Sequence, residues 1–148
     1  MKIPTLVIVR GLPGAGKSTY AKKLCKDTND VVICTQCFHF EADHYFEEDG
    51  EYNFNAGMLG IAHAKCLINT YNALRDGDDC VVSNTFTTRK EIQPYLGFDL
   101  HYDVKIIKLS SEFESIHGIP DYAYNAMKER WENFDGEEKF RFKGKENV

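Results

Sequence analysis

Early in the chain stands RGLPGAGKSTYAKKL, Arg10 to Leu24. Within it Gly11, Gly16, Lys17 and Ser18 complete the pattern G-x-x-x-x-G-K-[ST]. Glycines at this spacing let the backbone wrap an anion, so that several N–H groups point inward. A helix opening at Lys17 adds the partial positive charge of its N-terminus. The reading puts the phosphates of ATP on Gly11, Pro13, Gly14, Ala15, Gly16, Lys17, Ser18 and Thr19. Lys17 should reach the outer phosphates, and the Ser18 hydroxyl should ligand Mg2+. A phosphate held this way has three possible fates: transfer to a second substrate, hydrolysis, or retention as a signal.

Positioning these residues takes a strand before the glycines and a helix after them. TLVIV (5–9) is β-branched and continuous, as expected of a strand buried on both faces of a parallel sheet. The helix is expected from Lys17 to about Lys26. DVVIC and CFHFEA, between residues 30 and 42, supply one or two further strands, and the acidic EEDGEYNFN reads as a loop. Asn55 should cap a helix over 56–75, with Leu59, Ala62, Cys66, Thr70, Ala73 and Leu74 at helical spacing. CVVSN (80–84) is a short buried strand. A helix capped by Thr87 or Thr88 follows, and Pro94 should end or kink it. DVKIIKL (103–109) is the next strand. Pro120 should open a last helix to about Phe134, with Ala123, Met127, Trp131 and Phe134 near one face. Strands alternating with helices give a mainly parallel sheet covered on both faces, with ligands beyond the carboxyl ends of its strands.

The bulk properties narrow the function class. A chain of 148 residues, 43% apolar, is long enough for one domain with a sizeable core. The expected division is a nucleotide-binding domain over 1–134 and a charged tail over 135–148, poorly ordered or an edge element. A net charge of −5 argues against a nonspecific polyanion binder but leaves room for a nucleic-acid end in a small local site. Acid is concentrated in Glu41, Asp43, Glu47, Glu48, Asp49 and Glu51. The opening MKIPTLVIV lacks a cleavage site, and no run approaches a membrane span. An odd count of five cysteines reads as reduced thiols and a cytoplasmic location.

RGLPGAGKST, ADHYF with DGEYNFN, AHAKC, VVSNTFT and HGIPDYAYNAMKERWE occur in that order along the chain. The set resembles the small polynucleotide-kinase-like P-loop proteins, often labelled AAA-type ATPase or kinase and common in tailed phages. The resemblance spans about Leu6 to Glu132. It implies a three-layer α/β/α P-loop NTPase fold, kinase-like, with a short lid. It also implies host cytoplasm for a phage-derived chain. In polynucleotide kinases an aspartate after the second strand takes the proton from a 5'-hydroxyl, and Asp43 matches that position. A carboxylate there would orient an attacking hydroxyl and accept its proton.

The sequence departs from that pattern at three places. Phe46 stands where those kinases carry the arginine that holds substrate phosphate. Ser83, followed by Asn84 and Thr85, stands where related proteins end a strand on aspartate. Asn84 and Thr85 either bond substrate or a metal-bound water, or serve as caps and turn residues. The lid connector SSEFESIHGI is short, and no Lys or Arg occurs between Lys108 and Lys128. A cation that stabilises transferring phosphate must then come from elsewhere. Arg10 abuts the cradle and either meets phosphate or pairs with an acid. Arg89 either reaches a substrate phosphate or stands solvated in a first helical turn, and Arg130 is a further candidate. His117 either contacts nucleotide or bonds backbone in its turn. Cys34 and Cys37 form a C-x-x-C near His39 and His44, but strand alternation sends the two thiols to opposite faces, which disfavours a zinc site.

Two readings follow. One is a phosphotransferase moving the ATP γ-phosphate to a hydroxyl of a nucleic-acid end, a nucleoside or a small molecule. The other is a regulatory or scaffold module that binds nucleotide with slow or no turnover, with a protein partner supplying the missing cation.

Overall fold

Around one continuous apolar strand the chain builds two faces. The computed structural model describes residues 3–29, 37–48, 51–52, 55–110 and 121–140. β1 (Thr5–Arg10) sends Leu6 and Ile8 into one core and Val9 into the other, as strand alternation requires. β5 (Asp79–Asn84) and β6 (Asp103–Leu109) flank β1, both parallel to it. β2 (Cys37–Phe40) pairs in parallel with β5, and β7 (Glu138–Phe140) with β6. The order is β2-β5-β1-β6-β7. β3 (Glu47–Glu48) and β4 (Glu51–Tyr52) form a separate antiparallel pair within the expected acidic loop.

The helices complete three layers. α1 (Lys17–Asn29) brings Ala21 and Cys25 against Val9, Val81, Ile107 and Leu109. On the opposite face α2 (Leu59–Arg75) brings Cys66, Ala73 and Leu74, and α3 (Arg89–Leu96) brings Ile92 and Tyr95, onto Leu6, Ile8 and Val82. Each fully buried Leu, Ile or Val is worth roughly 1.5–3 kcal/mol, so this double core dominates stability. All five strands run the same way, so β1, β2 and β5 end at one edge of the sheet, where the chain reverses at β1.

Several elements differ from the sequence reading. A 3-10 turn at Ala56–Met58 precedes α2, and Asn55 accepts the Gly57 N–H through Oδ1 at 2.9 Å. Leu59, expected in the buried stripe, is exposed. Pro94 lies inside α3, which ends two residues later. α4 (Asp121–Arg130) buries no residue and stops before Trp131. Trp131 and Phe134 pack beyond its end, the first against Arg10 and the second against the α2–α3 core. Of the expected tail, residues 138–140 form an edge element: β7 pairs with β6, Ser110 N donates to Phe140 O at 3.0 Å, and Phe140 stacks on Tyr20 at 5.1 Å, while 141–148 lie outside the described residues. The DVVIC strand, Cys34 and the lid connector 111–119 lie outside the described residues.

Candidate functional site

Six residues join the end of β1 to the start of α1 and curl round a hollow. Gly14 and Gly16 hold φ of 87° and 89°, the left-handed region that side chains resist. A Cβ on Gly11 would lie 3.1 Å from both the Ala15 Cβ and the Leu109 carbonyl oxygen, so the loop seats directly on the end of β6. Lys17 Nζ donates to the carbonyl of Leu12 in its own loop at 3.1 Å. Burial lowers the Lys17 ammonium pKa to about 8, against the opposing pull of Glu41 and Asp43. The two carboxylates therefore act on Lys17 from the neighbouring strand end.

That strand end carries a residue that was read only as part of an acidic run. Glu41 follows β2, and its Oε2 accepts from Ser18 Oγ at 2.6 Å and from Ser83 Oγ at 2.8 Å. Since Ser83 spends its hydroxyl proton on Glu41, its contact of 2.6 Å with His39 Nε2 is one in which the imidazole N–H donates. His44 Nε2 lies 3.5 Å from Glu41 Oε1. Burial works to raise the Glu41 pKa, but hydrogen bonds from His39, Ser18 and Ser83 outweigh it and hold the carboxyl down to about 2. His39, Glu41 and His44 each offer one ligand atom within 4.8 Å of the others, a set able to hold a metal ion. The hard oxygens of Ser18 and Glu41, on the rim of the cradle, suit Mg2+. The sequence held one pointer to Glu41: a strand end at Ser83 without an acid calls for a carboxylate from an adjacent strand.

Asp43 sits in the 3-10 turn Ala42–Phe46 and is exposed. The turn is fixed from beneath. Ala42 and Phe46 are buried against Ala62 of α2, and the Ala42 N–H donates to Asn84 Oδ1 at 2.9 Å. Asn84 also places its Nδ2 3.8 Å from Cys66 Sγ. Of the two roles open to it in sequence, ligand or cap, its burial and its bond to Ala42 match the structural one, holding the Asp43 turn to β5. Thr85 meets the cradle through its backbone, its carbonyl accepting from Gly11 N at 3.4 Å. Beside the turn lies a cavity of about 230 Å3 lined by Phe40, Glu41, His44, Tyr45, Lys65 and Asn69, among others.

The arginines take other roles. Arg10, a phosphate candidate by sequence, is fully buried. It donates to the Phe86 carbonyl from Nε at 3.0 Å and Nη2 at 2.5 Å, to the Glu132 carbonyl at 2.7 Å, and to Glu137 Oε1 at 2.8 Å. Trp131 covers its guanidinium at 4.0 Å. Of its two sequence readings, the structure has Arg10 paired with an acid. Arg89 donates through Nε to the Asn133 carbonyl at 2.9 Å, and Arg130 through Nε to Thr87 Oγ1 at 3.0 Å. His117 lies outside the described residues.

Comparison with known proteins agrees with this architecture. Residues 6–112 match a family described as AAA domain. Human NEDD4-binding protein 2 is 27% identical over 141 residues, covering 87% of this chain but 8% of that protein, so the chain spans a small part of that relative's length. The fold is shared with Kti12 of Chaetomium thermophilum, solved with ADP-AlF3, at a TM-score of 0.65 and 13% identity over 96% of this chain and 92% of that one. It is also shared with a sugar kinase of Janibacter sp., at a TM-score of 0.62 and 14% identity over 94% and 84%. By the match over residues 6–112 the chain belongs to the AAA domain family, and its fold is that of kinase-like P-loop proteins.

Proposed function

We propose that the chain is an ATP- and Mg2+-dependent phosphotransferase acting on a hydroxyl of a small acceptor. The observation that carries this reading is the juxtaposition of two strand ends: the cradle after β1 and the rigidly seated Asp43 turn after β2, close enough for Asp43 to act on Lys17. The cavity of about 230 Å3 between that turn and α2 offers an acceptor aromatic walls from Phe40 and Tyr45, with Lys65 and Asn69 as polar contacts. That volume suits a small group, such as a nucleoside or similar small molecule, beside the Asp43 turn.

In the proposed reaction the backbone N–H groups of the loop and Lys17 hold the outer phosphates, and Lys17 leaves the Leu12 carbonyl to do so. Asp43 orients the acceptor hydroxyl and takes its proton as oxygen bonds to the γ-phosphorus and the bond to the ADP oxygen breaks. Ser18 would hold the Mg2+ that comes with the nucleotide, whose charge would offset that of the phosphates.

One observation favours the second reading, a binding module with slow turnover. Among the described residues the arginines near this edge are committed elsewhere: Arg10 to Glu137, Arg89 to Asn133 and Arg130 to Thr87. A protein partner would then supply the cation. ATP consumption measured with candidate hydroxyl acceptors separates the readings. Wild type should accelerate with an acceptor. Asp43→Asn should lose about 10²–10⁴ of that acceleration while binding ATP normally, and Lys17→Ala should lose ATP binding. Acceptors that never accelerate wild type would leave the binding module as the reading.

A further inference from the structure

In β5, the strand next to the cradle, the next-to-last residue is Ser83, which carries no charge for a cation. The parallel register of β2 with β5 pairs Phe40 with Val82, so Glu41, just past the end of β2, comes level with Ser83, which still pairs with Val9 of β1. Their side chains meet: Ser83 Oγ donates to Glu41 Oε2 at 2.8 Å. The same oxygen receives Ser18 Oγ at 2.6 Å. A hydroxyl that gives its proton to Glu41 directs its lone pairs elsewhere, and a serine oxygen offers only lone pairs to a cation. Glu41 is thus within one hydrogen bond of the expected cation ligand and leaves that ligand's lone pairs available. Its side chain is 12% exposed, which keeps Oε1 within reach of a cation or its water.

We propose that Glu41, from the end of β2, replaces the acid missing at Ser83 and is the carboxylate that holds the divalent cation of the bound nucleotide. Ser83 keeps the Glu41 carboxylate in place, with His39 behind it at 2.6 Å. The proposal rests on ATP occupying the cradle, which both readings above share.

The test measures ATP affinity by calorimetry in EDTA and again in excess Mg2+, for wild type, Glu41→Gln and Glu41→Gln/Ser83→Asp. Mg2+ should tighten ATP binding to wild type. Glu41→Gln should lose about 10- to 100-fold of that tightening and bind ATP in EDTA at least as well as wild type, because a negative charge near the phosphates is gone. The double variant returns one carboxylate to the pair from the β5 side and should regain the Mg2+ effect. It also keeps the proposal testable if Glu41→Gln alone does not fold. Wild-type Mg2+ dependence in folded Glu41→Gln would overturn the proposal, as would equal loss of affinity in EDTA and in Mg2+, the mark of a purely structural role. A folded double variant without the Mg2+ effect would overturn it too. The readout is affinity and not turnover, so a chain that never phosphorylates an acceptor can still pass, and failure here leaves the role of Asp43 untouched.

Discussion

Two charged clusters stand at the carboxyl edge of the same sheet, and they are built to opposite ends. Arg10 closes β1 and is sealed: its donors go to two carbonyls and a carboxylate of this chain, and Trp131 lies over it. Glu41 follows β2 and stays partly open, with two hydroxyls and two imidazoles around it. A cation whose partners all come from the chain serves architecture. An anion whose partners are themselves ligand-binding groups is set up to exchange them. What separates the two is where the partners originate. Those of Arg10 come from Phe86 and from residues 131–137, so the arginine draws the end of the chain onto the sheet. Those of Glu41 come from Ser18 after the cradle loop, from Ser83 of β5, and from His39 and His44 on either side of it in its own segment.

The comparison breaks most sharply at Arg10. Arg10→Ala should lower the unfolding free energy by about 3–5 kcal/mol, because it leaves the buried Glu137 carboxylate unpaired. It also strands the Phe86 carbonyl. Phe86 sits at φ 47°, a left-handed position that a phenylalanine resists, and two of the Arg10 hydrogen bonds end on its oxygen. Arg10→Met/Glu137→Leu removes both charges and should recover part of the loss. Urea unfolding followed by circular dichroism reads both. A small loss in Arg10→Ala would mean the cluster is not sealed and that Arg10 is available to ligand after all.

A smaller effect sharpens the open side. Lys17 loses its proton near pH 8 because burial penalises its charge. An arriving polyphosphate favours the protonated form, so binding raises that pKa. ATP affinity should therefore be level below about pH 8 with respect to this group and fall above it, by at most about tenfold per pH unit until the pKa of the bound state is reached. Lys17→Arg, protonated throughout, should remove the break even if its overall affinity is lower. An ATP titration series from pH 6.5 to 9.5 checks this. No break in wild type would mean that Lys17 does not meet the phosphates.

The sequence reading fared unevenly across these two clusters, for a physical reason. The loop after β1 is specified by contiguous residues, so its glycine turn from Gly11 to Gly16 and the start of α1 at Lys17 were legible directly. The alternation of strands and helices was equally local, and the parallel three-layer sheet followed. Glu41 lies two residues before Asp43, yet its setting depends on the register of β2 against β5 and on a serine 23 positions earlier. Arg10 stayed open between phosphate and an acid in sequence because its carboxylate partner lies 127 residues away. A long-range pairing likewise decides that part of the charged tail is the edge strand β7. Asn84 stayed open between ligand and cap, and the backbone N–H of Ala42 makes it a pin for the neighbouring turn.

The smallest expected change is the most discriminating one for the comparison. Glu41→Gln should alter the unfolding free energy by only about 1 kcal/mol. The amide oxygen of glutamine still accepts from Ser18 or Ser83, and the loss of charge-assisted bonding is offset by no longer burying a charge. Stability near wild type together with a lost Mg2+ effect would separate ligand-holding from fold-holding at a single atom pair. Urea unfolding without nucleotide or metal measures it. A loss as large as that of Arg10→Ala would make Glu41 a second architectural pin, joining α1, β2 and β5, and the distinction between a sealed and an open cluster would fall.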